Sequence, residues 1–144
     1  MVGSATEVSF NVYGERGSID VLAFHPNARV VLVVEVKSAI GDIQATLMTL
    51  DRKARLAIRL VRERGWEARE VARLLVVRRG TTARRRIEEF EATFGVSFPE
   101  RANAVRRWLR RPTRQPISGL WFVSAGTQAV ARRRVRRRTS ATHS

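Results

Sequence analysis

With 144 residues, 44% of them hydrophobic, and no cysteine, the chain is long enough to bury one core, short for two, and unable to form disulfides or thiolate metal sites. No apolar run reaches the roughly 18 residues that a membrane-spanning helix needs, and residues 1–11 lack the basic start and apolar stretch of a secretory signal, so a cytoplasmic location without membrane contact is expected. The net charge of +15 is uneven: the first 50 residues carry 3 basic and 5 acidic side chains, while the rest of the chain carries 25 and 8. Like charge on this scale repels itself in a folded protein, and a polyanionic partner is its usual explanation; the plainer alternative is biased base composition that leaves arginine on a solvated surface.

In chain order, Val8, Phe10 and Val12 alternate with polar neighbours and predict a half-buried strand, followed by a turn over Gly14 to Gly17 and a second strand at 18–24. His25, Pro26 and Asn27 predict the next turn. The run Val30–Lys37 is almost continuously apolar and β-branched until Glu35, as in a central strand covered on both faces. From Asp42, a capping residue, the period becomes helical: Ile43, Leu47, Leu50, Ala54, Ile58 and Val61 form the apolar stripe, Arg52, Arg55, Arg59 and Arg62 lie on other faces, and Gly65 ends the helix. A strand is predicted at 73–77, then a helix from Gly80, Thr81 and Thr82 with Ile87, Phe90 and Phe94 on one side and Gly95 as its stop. A helix over Ala102–Arg110 ends before Pro112, and 119–123 reads as a last strand. Two regions result: a domain over residues 1–130 and an arginine-rich tail over 131–144, expected to be disordered without a partner.

Chemistry concentrates at the end of the third strand. If strands two and three form a hairpin with Pro26 and Asn27 as its two turn residues, Asp20 faces Val33, Glu35 lies diagonally on the same face, and Lys37 continues that face. A loop of different length shifts the pairing, but any shift by two keeps the same faces together. Two carboxylates within about 7–8 Å at an open strand end suit a hard divalent cation, which takes one or two protein oxygens and completes its shell with water and phosphate. Lys37 beside them offers a compact charge to an attacking water or to phosphorus. Of the 28 basic residues only Lys37 and Lys53 are lysines, so the lysine at this strand end stands out in a chain that otherwise uses arginine. The plain reading of each residue alone is a solvated Glu-x-Lys pair and a turn-capping aspartate. Glu15, in the preceding turn, is near enough to offer a third carboxylate, although a charged pair such as Glu15-Arg16 in a turn is usually only solvated. His25 and His143 have no partner at ligand spacing for zinc. Trp66, Trp108 and Trp121 read as packing residues. Arg132, Arg133, Arg134, Arg136, Arg137 and Arg138 form a phosphate-contacting run or, alternatively, a solvated tail.

These residues resemble the PD-(D/E)XK phosphodiesterases, the superfamily of type II restriction enzymes and Holliday-junction resolvases. Gly17-Ser18-Ile19-Asp20-Val21-Leu22-Ala23 is similar to the first half-motif and Val33-Val34-Glu35-Val36-Lys37-Ser38 to the second, over roughly residues 7–80. The resemblance implies an α/β fold with a central mixed β-sheet flanked by helices, a restriction-endonuclease-like core. It further implies magnesium- or manganese-dependent cleavage of DNA, Asp20 and Glu35 as metal ligands with the Val36 carbonyl, and Lys37 as the catalytic lysine. Gln44 matches a glutamine that borders the metal in some members and is a further catalytic candidate. The tyrosine that follows it by four residues in those members is Met48 here, which sets the recombination-linked subset aside. The family's core commonly opens with a helix before the first strand; here that helix is expected to be absent, or to precede Met1. The leading expectation is a DNA endonuclease or resolvase-like enzyme, with a homodimer left open. The alternative is an inactive nucleic-acid-binding module of the same fold, and a structural RNA-binding protein ranks last because it gives no reason for Glu35 and Lys37.

Overall fold

Short connections make antiparallel neighbours and long crossovers make parallel ones, and both occur in this chain. The computed structural model describes residues 4–12, 14–78 and 80–123. Along them run β1 (Ser4–Val12), β2 (Glu15–His25), β3 (Val30–Lys37), α1 (Ile43–Glu63), β4 (Glu70–Arg78), α2 (Thr81–Glu89), α3 (Glu91–Ser97), α4 (Ala102–Arg110) and β5 (Ser118–Val123). The strands lie in the order β1-β2-β3-β4-β5. β1, β2 and β3 are antiparallel through two tight turns, and β3, β4 and β5 are parallel through α1 and then α2 to α4. This is the expected mixed sheet flanked by helices. No helix among the described residues is long and apolar enough to cross a membrane.

β3 is buried on both faces, and its alternate residues enter two cores. Val31 and Val33 join Leu22, Phe24, Leu75 and Val77 beneath α1, with Ile87, Phe94 and Phe98 from α2, α3 and the residue after it. Val30, Leu32 and Val34 join Ala23, Ala72 and Leu74 against Val105 and Trp108 of α4. α4 packs so closely on the sheet that a Cβ at Gly119 would stand 2.6 Å from Val105 Cγ2.

Several boundaries differ from the sequence reading. The first turn is tighter: Val12 pairs with Glu15, Gly14 takes the left-handed conformation at φ +81°, and β2 starts three residues early. The second turn spans residues 26–29, two longer than expected, with Arg29 left-handed at φ 53°. Its carbonyl is held there by the N–H groups of Arg69 and Glu70, at 2.7 and 3.3 Å. The single helix expected after Gly80 breaks at Phe90, whose φ of −113° and ψ of 33° turn its ring outward beneath Arg86. Gly95 lies inside α3 and does not stop it, since Phe98, stacked on Phe94, forms the cap.

The buried face of α1 agrees with the expected stripe only in part. Ile43, Leu50 and Val61 are buried as expected, Leu47, Ala54 and Ile58 are only partly covered, and the buried set also takes in Thr46, Lys53, Leu56, Ala57 and Leu60. Asp42 caps the helix as expected, accepting the Ala45 N–H at 3.0 Å.

Candidate active site

The β2–β3 ladder runs from His25↔Val30 to Val21↔Val34. Leu22, not Asp20, therefore faces Val33, and the register expected from a two-residue turn is corrected by two. Continuing the observed pairing by one step sets Asp20 opposite Glu35. A shift by two preserves the faces, so Asp20 and Glu35 share the α1 side of the sheet. The Asp20 side chain then does what a strand carbonyl would: its Oδ2 accepts the Val36 N–H at 2.8 Å. In an extended strand a residue's N–H and C=O point to one edge, so the Val36 carbonyl faces the same gap.

Glu35 is 5% exposed, a carboxylate in a layer of apolar side chains. Such a charge needs partners, and it has two. Lys53 of α1 stands with Nζ 2.6 Å from Glu35 Oε2, and Lys37 with Nζ 3.8 Å from Oε1. Lys53 is as buried as Glu35, whereas 37% of the Lys37 side chain reaches solvent. The two lysines of the chain thus meet on one carboxylate. Reasoning from sequence noted the rarity of lysine yet missed Lys53, because a lysine on a helix is ordinarily assigned to its wet face.

Asp20, Glu35, Val36 and Lys37 are accordingly gathered at one strand end. Gln44, the second residue of α1, is exposed and borders a hollow with Gly41, Asp42, Arg86, Phe90 and Thr93. Glu15 is taken by Arg55 at 2.7 Å on the outer side of α1. His25 accepts the Ala28 N–H through Nδ1 at 3.1 Å, so it serves the turn. Arg132, Arg133, Arg134, Arg136, Arg137 and Arg138 lie outside the described residues.

In charge, two carboxylates face two ammoniums and cancel. In donors, Asp20 keeps Oδ1 free of the Val36 bond, and Glu35 Oε1 is held only loosely, beside the lysine that reaches water. Comparison with protein-family models, with curated proteins and with solved structures finds no match.

Proposed function

We propose that the chain is a metal-dependent phosphodiesterase acting on DNA, with the restriction-endonuclease-like PD-(D/E)XK core that its half-motifs resemble. The observation that carries this reading is the placement of Asp20 and Glu35 on one face at one strand end, with Lys37, open to solvent, 3.8 Å from Glu35. The donor set fits magnesium or manganese: Asp20 Oδ1, Glu35 Oε1 and the Val36 carbonyl are hard oxygens, few enough to leave room for water and phosphate. Such an ion, when bound, supplies Lewis-acid polarisation of the phosphate and a more acidic water. Because the four charged side chains cancel, an added dication leaves the site positive, as an anionic substrate requires. Glu35 orients Lys37, and the Lys37 ammonium meets the attacking water or the charge that develops on the phosphoryl oxygens.

Cleavage of plasmid, branched or single-stranded DNA should require magnesium or manganese and stop on chelation. Lys37→Ala should slow it by roughly 10²-fold or more, and Lys37→Arg severely too, since a planar fork does not replace a point charge. Both should bind DNA as the wild type does, one cation among 28 contributing little. That binding should weaken linearly in log affinity with log salt, and removal of residues 132–138 should flatten the slope.

A second reading has its own observation. Both oxygens of Glu35 face ammoniums, an arrangement that also serves as a purely structural ion pair. On that reading the protein is a nucleic-acid-binding module, and salt-dependent binding persists with no cleavage in either metal.

A further inference from the structure

Lys53 is the group to which the phosphodiesterase reading gives no role beyond its charge, and it is buried. It sits in the buried row of α1 between Leu50 and Ala57, 7% exposed, with its Nζ on Glu35 Oε2 at 2.6 Å. A buried ammonium is costly unless paired, and a carboxylate oxygen that satisfies one at this distance is not available to a second cation. Asp20 is restricted in the same way, its Oδ2 being occupied by the Val36 N–H. Asp20 is therefore left with Oδ1, and Glu35 with Oε1, which only the more distant Lys37 faces, at 3.8 Å.

That count bears on how many ions the site can take. Paired-metal sites place two ions about 3.5–4 Å apart, clamping the attacking and leaving oxygens of one displacement, and they need ligands for both. No group of three or more histidine, aspartate or glutamate side chains suited to a metal occurs among the described residues. We propose that Lys53 caps Glu35 so that the site admits a single divalent cation, held by Asp20 Oδ1, Glu35 Oε1 and the Val36 carbonyl. Lys53 is thus a positioning residue, standing in charge and place where a second ion would have to be. This rests on the phosphodiesterase reading and adds a consequence to it: with one ion, Lys37 becomes the other cation that the reacting phosphate meets.

The test is manganese binding to the full chain without nucleic acid, followed by electron paramagnetic resonance and calorimetry. One ion per chain is expected, lost in Asp20→Asn. In Lys53→Met the freed oxygen should tighten manganese binding roughly tenfold or admit a second ion, because a competing unit charge has gone. Manganese should also raise the melting temperature of Lys53→Met more than that of the wild type, by replacing the missing charge. Two ions on the wild type would overturn the cap and leave the phosphodiesterase reading standing. So would unchanged affinity, stoichiometry and thermal response in Lys53→Met. If that variant does not fold even with manganese, the wild-type stoichiometry decides alone. Manganese bound by neither protein would overturn the phosphodiesterase reading, and the cap with it.

Discussion

Asp20 has one oxygen bonded to the fold and one left for the proposed metal, and substitution can separate the two. Asparagine retains a carbonyl oxygen for the Val36 N–H, whereas alanine leaves that amide without its acceptor. Asp20→Asn should unfold in urea within about 0.5 kcal/mol of the wild type. Asp20→Ala should be lower by about 1–2 kcal/mol, and both should lose metal affinity. Asp20, Glu35 and Lys37 were legible in the sequence because strand periodicity is 2 and all three fall on one face whichever even shift the turn imposes. Lys53 was not. Half of the expected stripe, Ile43, Leu50 and Val61, lies in the true seam, but Leu47, Ala54 and Ile58 run beside it, and the seam also passes through Thr46 and Lys53, two polar residues that a hydrophobicity rule rejects. Thr46 is reconciled with burial by donating its hydroxyl to the Asp42 carbonyl at 2.9 Å, and Lys53 by Glu35. Their partners are one turn and 18 residues away respectively, and only the nearer could be anticipated from local sequence.

Between elements, Arg73 of β4 makes several connections at once. It pairs with Asp51 of α1, donates through Nη2 to the Ser97 carbonyl at 3.0 Å and to Ser118 Oγ at 2.7 Å, and lies 5.4 Å over the Phe98 ring. One guanidinium thus ties α1, the end of α3 and the start of β5 to the middle of the sheet. Arg73→Met keeps the aliphatic stem but none of the donors, and should lower stability by about 2–3 kcal/mol, read as a lower urea midpoint with an unchanged slope. From sequence Arg73 marked only the edge of a strand, since nothing local says that one earlier and two later elements converge on it. Element types were readable from periodicity, as in Ala102–Arg110, where the observed helix has the expected limits. Turn lengths and helix breaks were not. The extra residues of the 26–29 turn depend on contacts from Arg69 and Glu70, and the break at Phe90 on which rings the core below accepts.

Across the whole molecule, the sheet is made of two kinds of connection, and the site lies where they join. β1, β2 and β3 are consecutive and close through turns of a few residues, whereas β4 and β5 return only after helical crossovers. The acidic first third of the chain is the antiparallel part, and the arginine-rich remainder supplies the crossovers and the parallel strands, so the composition shift seen in the sequence coincides with a change in topology. This division has a kinetic meaning. Hairpins close in about 1–10 μs, while non-local parallel pairing must first overcome the entropy of a long loop. Asp20 and Glu35 belong to the quick event and Lys53 to the slow one. Contacts of Lys53 should therefore be absent from the folding transition state: in stopped-flow experiments Lys53→Met should speed unfolding and leave refolding nearly unchanged, a φ-value below about 0.3, whereas Leu22→Ala in the hairpin should slow refolding. Until α1 docks, the chain holds two negative charges across a newly formed hairpin with only Lys37 beside them, and the arrival of the crossover helix both closes the core and delivers the ammonium that makes Glu35 tolerable inside it.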